Sequence, residues 1–186
     1  MVGLIALLVL GVPDNADKMI ASARDQCTWG TRYDNRYVKL AYPGGDLPKD
    51  RGVCTDVIVR SLRAAGHDLQ KLIHEDIKRN WGKYPRYPGS RKPDKNIDHR
   101  RVPNQRVFWK RFGLVLTTKV APETKAKWLP GDIVTWKLDS GLDHTGLLTD
   151  KRNAKGWPYV VHNLGTTLEE DVLTSWQITG HYRYPK

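Results

Sequence analysis

Arg51-Gly-Val-Cys-Thr-Asp-Val-Ile-Val-Arg60 decides how this chain is read, because it opens a helix on a cysteine. Val57, Ile58, Ser61, Leu62 and Ala65 recur at helical spacing as an inward stripe, and Gly66 supplies the stop. A thiol attacks only as a thiolate. A helix N-terminus and an imidazole partner are two devices that favour that anion. His144 and His162 follow far downstream in strand-like segments, where folding could carry them to Cys54. By its position alone, the same sulfur could also be an inert buried thiol or pair with Cys27 in an oxidising compartment.

Upstream of this stretch, Ala16 to Trp29 reads as a first helix, with Met19, Ile20, Ala23 and Cys27 on one side. An aromatic, turn-rich segment from Tyr33 to Asp50 contains Tyr42-Pro-Gly-Gly-Asp46. Downstream, Asp68 is an N-cap for a helix reaching Trp81, with Leu69, Leu72, Ile73 and Ile77 inward. Tyr84 to Asn104 is rich in Pro, Gly and charge and reads as a long surface loop, of the kind that shapes a site or moves. Gln105 to Phe112 reads as a short helix. Four strands then follow, Ile133–Leu138, His144–Thr149, Tyr159–His162 and Ile178–Arg183, each bounded by Gly, Pro, Asp or Asn. Helices first and antiparallel strands afterwards predict an α+β domain, its N-terminal helices packed on a mainly antiparallel β-sheet.

The 186 residues suit one domain that can bury a core without disulfide staples. Two cysteines do not make a disulfide scaffold, and no CxxC spacing suggests structural zinc. Seven Trp and eight Tyr against two Phe suggest half-polar aromatic grooves. The net charge of +11 favours a polyanionic neighbour, such as an anionic membrane face or the acidic polymers of a bacterial wall. A merely solvated basic face is the plainer alternative. The basic residues are spread along the chain with no Lys/Arg block, which argues against specific nucleic-acid binding.

Val2-Gly-Leu-Ile-Ala-Leu-Leu-Val-Leu-Gly11, broken by Val12-Pro13-Asp14, is too short to span a bilayer and fits the apolar core of a secretory signal. It lacks a basic segment before it and a small-x-small site after it, and a buried first helix is the alternative. The expectation is a signal-like segment at 1–16 and a single domain at 17–186. The protein would be periplasmic or secreted, monomeric, and without a transmembrane span once the signal is removed.

His144 opens a strand after Ser140-Gly-Leu-Asp143, and His162 ends the next one. Adjacent antiparallel strands would bring the two rings within reach of each other. One can take the thiol proton while the other, or Asn163, holds its second nitrogen. First-turn N–H groups at Cys54 can stabilise an oxyanion. A rival is a zinc site drawn from His74-Glu-Asp76, His99 and the strand histidines. No HxxxH or HExxH spacing supports it, so no metal and no cofactor is expected. Asp98, Arg100 and Arg101 read as a salt-bridged loop anchor or as a clamp on a substrate carboxylate.

Gly52-Val-Cys-Thr-Asp56, Asp68-Leu-Gln70, His74-Glu-Asp76, Asn96-Ile-Asp-His-Arg-Arg-Val-Pro-Asn104, Pro130-Gly-Asp-Ile-Val134, His144 and His162-Asn-Leu-Gly165 together resemble a family of uncharacterised bacterial proteins, domain of unknown function twelve-eighty-seven. The likeness covers nearly the whole chain after the signal-like start. The order of parts is also similar to the wider NlpC-type, papain-like superfamily of cell-wall cysteine peptidases and amidases. That resemblance implies Cys54 as nucleophile, His144 as base and His162 as orienting residue. Tyr42, twelve residues before Cys54, resembles the superfamily's tyrosine near the oxyanion. Asp56, Asn163, Arg100 and Arg101 complete the candidate oxyanion and substrate-binding set. Cys54-Thr55-Asp56 departs from the usual Cys-Ser-Gly, which bears on pocket shape. The implied function is an exported hydrolase cutting an amide bond in peptidoglycan peptides. A non-catalytic wall-polymer-binding module and a metal-dependent hydrolase using His74 and His99 are the alternatives.

Overall fold

Asp14 accepts the Asp17 N–H at 2.9 Å and so caps the first helix, α1 (Asn15–Cys27). The computed structural model describes residues 14–186, so the apolar stretch 2–11 and the export reading attached to it lie outside the described residues. Helix α2 (Cys54–Ala64) buries Val57, Ile58 and Leu62, and Gly66, at φ 87°, ends it in a backbone conformation that only glycine adopts freely. Helix α3 (Leu69–Arg79) starts on Asp68, whose carboxylate accepts the Gln70 N–H at 3.1 Å. Helix α4 spans Val102–Phe112. It begins three residues before the expected start because Pro103, lacking an N–H, sits in the first turn, where none is needed.

Two short strands, β1 (Arg32–Tyr33) and β2 (Arg51–Gly52), pair in parallel just before α2. The main sheet has six strands, all antiparallel, in the order β3-β8-β4-β5-β6-β7. They are β3 (Leu114–Val115), β4 (Ile133–Lys137), β5 (Asp143–Arg152), β6 (Pro158–Asn163), β7 (Thr167–Glu170) and β8 (Gln177–Arg183). The chain is thus α+β, as its order of elements predicts. Strands β3 and β7 escape sequence reading because they are too short to show alternation.

Both faces of the sheet are covered. Ile133, Leu147, Val161 and Tyr182 pack against α1 to α4 in the larger core. Val134, Trp136, Leu148 and Val160 turn the other way, onto Trp128 and Leu173. Each fully buried aliphatic side chain contributes about 1.5–3 kcal/mol, so the two cores together hold the sheet rigid beneath α2. Among the described residues, no helix is long and apolar enough to cross a membrane.

The stretch from 84 to 104 is not a free surface loop throughout. Asp98–Arg100 forms a 3-10 turn in which Asp98, His99 and Arg100 are all buried. The cause is an ion pair: Arg100 Nε and Nη2 donate to the two Asp56 oxygens at 2.8 and 3.0 Å, bolting this turn to the head of α2.

Candidate active site

The residue before the helix, Val53, is extended, and its N–H donates to Asp56 Oδ2 at 2.7 Å. Thr55 Oγ1 donates to the Arg100 carbonyl at 3.0 Å. Asp56 therefore fixes the first turn of α2 from two sides, and its oxygens are occupied in doing so. Asp56, expected among the substrate-binding residues, is here a carboxylate that holds one amide and a bidentate guanidinium.

That turn presents Cys54, which is 4% exposed. The β5–β6 register runs from Leu147↔Val161 towards Arg152↔Pro158, and before it begins the Thr145 amide comes near enough to the Cys54 sulfur to favour its anion. Burial, with the Asp56 charge behind it, pushes the thiol up to about 12, and the amides of Thr145, Thr55 and Cys54 itself only partly oppose this. The helix N-terminus does not make a resting thiolate here, because desolvation of the charged sulfur outweighs it. Neither cysteine is bridged: Cys27 is half-buried and its thiol turns to the Ala23 carbonyl at 3.6 Å.

His144 Nε2 and His162 Nδ1 lie 2.9 Å apart, and His162 Nε2 lies 2.9 Å from Glu170 Oε2. Trp136 stacks on His144 with ring centroids 5.6 Å apart, and Trp176 meets both imidazoles edge-on at 5.7 and 6.0 Å. Burial, then the neighbouring His162, lowers His144 to about 3. Burial also lowers His162, against the pull of Glu170. Two neutral rings anchored to a carboxylate leave one arrangement of protons. His162 Nε2–H donates to Glu170, so its Nδ1 is bare and accepts from His144 Nε2–H. The free lone pair of the chain is then His144 Nδ1.

Cys54 opens onto a cavity of about 150 Å³ that Tyr33, Asn35, Thr55, Arg100 and Asp143 also line. Tyr42 is elsewhere: its ring meets His74 edge-on at 5.2 Å, with Lys95 Nζ 5.6 Å from its centroid. Tyr33 lines the cavity with Cys54 instead, and burial raises its phenol. Register explains the exchange. Tyr33 pairs with Gly52, two residues before Cys54, and its N–H donates to the Gly165 carbonyl at 2.8 Å. Asn163 holds that turn, donating to Thr167 Oγ1 at 3.3 Å and accepting the Gly165 N–H at 3.1 Å. Its amide is thereby committed to the β6–β7 turn, and Glu170 is the group that holds His162. Arg101 lies 3.7 Å over the Tyr87 ring and lines a separate, larger cavity with the 88–97 loop.

Tyr33, Asn35, Asp143 and Glu170 are the site residues that sequence reading misses. Glu170 had a signal, since a tight turn at 164–166 followed by a strand puts it opposite Val160. Tyr33 had none locally, because a parallel pairing across 18 residues brings it in. Among the described residues, no group of three or more His, Cys, Asp or Glu side chains could hold a metal ion. His74 and His99 therefore do not join the strand histidines in such a site.

A family described as domain of unknown function DUF1287 matches residues 20–184. The chain belongs to this family. The uncharacterized protein YijF of Escherichia coli (strain K12) is 46% identical over 178 residues, covering 95% of this chain and 85% of that protein. Every residue of the site, from Tyr33 through Cys54 and His144 to Glu170, falls inside the DUF1287 match.

Proposed function

We propose that this DUF1287 protein is a cysteine hydrolase of the NlpC-type, papain-like kind, exported to the periplasm or beyond, cutting an amide bond in peptidoglycan stem peptides. The observation that supports the reading is the Glu170–His162–His144 chain, which ends on a bare His144 Nδ1 in the residue that precedes Thr145 on β5. The resting thiol and imidazole are both uncharged. The proton therefore passes from Sγ to His144 Nδ1 as sulfur bonds to the substrate carbonyl carbon. Negative charge moves to the carbonyl oxygen, within the field of the α2 N-terminus and beside the Tyr33 hydroxyl. His162 and Glu170 stabilise the imidazolium that forms. His144 gives the proton to the leaving amine. Water then attacks the thioester, with His144 again taking and returning a proton, and the free thiol is restored. The +11 charge keeps the enzyme near an anionic wall.

Amine release from digested wall fragments should vanish in Cys54→Ala and His144→Ala and persist in Cys27→Ala. A wild-type protein inert on every fragment would sink the reading. A second reading, a wall-binding module without chemistry, is favoured by the thiol that burial keeps neutral. It requires retention on insoluble wall that Cys54→Ala leaves unchanged, together with no turnover.

A further inference from the structure

The loop from Pro88 to Ile97 lines a cavity of about 1010 Å³ that the hydrolase reading leaves unused. Hydrogen bonds fix its floor. The Tyr37 hydroxyl donates to Asp94 Oδ2 at 3.0 Å and accepts from Asn96 Nδ2 at 2.7 Å. Asp94 Oδ1 accepts the Asn96 N–H at 2.9 Å, and Asn96 Oδ1 accepts the Leu40 N–H at 3.0 Å. Asp94, the one carboxylate on this wall among the described residues, therefore has both oxygens engaged within the loop. Arg91, Lys92, Lys95 and Arg101 line the same wall. The first three are exposed and enter no ion pair among the described residues. Arg101 reaches Asp98 only at 3.7 Å. Four cations facing one engaged carboxylate make the basin positive, and a concave wall of one sign concentrates the opposite charge. Tyr37 keeps 55% of its surface exposed there, a flat face whose hydroxyl is already bound. Ile97 lines both this cavity and the one onto which Cys54 opens, so the two adjoin.

We infer that this basin is a second binding site that takes a stretch of anionic glycan, its acidic groups on Arg91, Lys92, Lys95 and Arg101 and a sugar ring on Tyr37. The volume stands at the upper end of ligand pockets, room for a few sugar units rather than one ion. Tyr37 is the one Tyr, Trp or Phe on this wall among the described residues. Single-stranded nucleic acid, by contrast, is held by successive bases on successive aromatic side chains. That the glycan belongs to the substrate, with its peptide carbonyl in the adjoining Cys54 cavity, rests on the hydrolase reading above. Binding in the basin does not.

The test is an NMR titration of the full chain with three probes: a hyaluronan hexasaccharide, its uncharged N-acetylated counterpart chitohexaose, and hexathymidylate. Hyaluronan should bind at least about tenfold tighter than chitohexaose, with shifts at Tyr37, Lys95 and Asn96. The combined change Arg91→Gln, Lys92→Gln and Lys95→Gln removes exposed charges and leaves the Lys95 carbonyl to Gln70 Nε2, so the fold persists. It should reduce the preference below about threefold. Equal binding of the two hexasaccharides, a preference untouched by the triple change, or tighter binding of hexathymidylate overturns the inference. Glycan binding without any release of amine from wall fragments sinks the enzyme and leaves the basin. With turnover, a raised KM at unchanged kcat in the triple variant supports the basin as a substrate site, and an unchanged KM overturns that role while leaving the enzyme.

Discussion

Acidification from pH 7 to pH 4.5 should cost this protein about 5 kcal/mol, and two buried imidazoles account for it. Burial, and next the charge of Arg100, lowers His99 to about 3; burial and then His162 lower His144 to about 3. His99 Nδ1 also lacks a partner among the described residues that could hold a proton in place. In the unfolded chain both rings titrate near 6.5. Below that pH the unfolded state binds protons that the folded state refuses, so stability falls as pH falls, until about 3. Each ring contributes a slope of about 1.4 kcal/mol per pH unit, or about 2.7 together. The burial that lowers His162 acts in the same direction. The window from 6.5 to 4.5 lies above the carboxylate range, where Asp34 and Asp76, both held low by arginine partners, add their own losses. Urea unfolding followed by tryptophan fluorescence at half-unit pH steps measures the slope, and His99→Asn should remove about half of it. A stability that changes by less than about 1 kcal/mol across the window refutes the claim that burial keeps these rings neutral.

Cys54 should alkylate with iodoacetamide at a rate that climbs about tenfold per pH unit from 7 to 10, without the plateau of a thiol ionised at neutral pH. A plateau below pH 8 would contradict the burial effect that pushes it to about 12. Glu170→Gln leaves His162 without its charged acceptor, so kcat on wall fragments should drop at least about tenfold while the fold persists by circular dichroism. Unchanged kcat would remove Glu170 from the relay. Asp56→Asn breaks a buried ion pair and should cost about 3–5 kcal/mol in urea melts. The double change Asp56→Asn with Arg100→Met should recover part of that loss.

The parts of the fold legible in the sequence are those built from local signals. The side Met19, Ile20 and Ala23, the cap Asp68 and the stripe Val57, Ile58 and Leu62 announce α1, α3 and α2, and runs of β-branched residues announce β4 to β6. What escaped reading depends on contacts distant in the chain. Tyr42 has the right spacing before Cys54, yet the chain between them does not run straight. Arg60 gathers that segment onto α2 by donating to Asp46 at 3.0 Å and to the carbonyls of Leu47, Pro48 and Arg51 at 3.1–3.4 Å. Tyr42 is left against His74 on α3, and the parallel pairing of β1 with β2 delivers Tyr33 to the Cys54 cavity in its place.

Charge state was the least legible property, for a reason that applies to every group in the site. A helix start, an imidazole and a carboxylate can all be recognised from residue type and spacing, and each is expected to favour ions. Whether an ion forms depends on solvent access, which only the packed structure decides. Cys54, His144 and His99 are each driven towards their neutral forms by burial as the largest cause, against or beyond the partners that sequence could name. Glu170, by contrast, keeps 44% of its side chain exposed and so supplies the relay with a hydrated anion at its outer end. The site is therefore a neutral thiol and two neutral rings tethered to one solvated carboxylate. On the proposed hydrolase reading, ionisation would accompany bond formation to the peptide carbonyl.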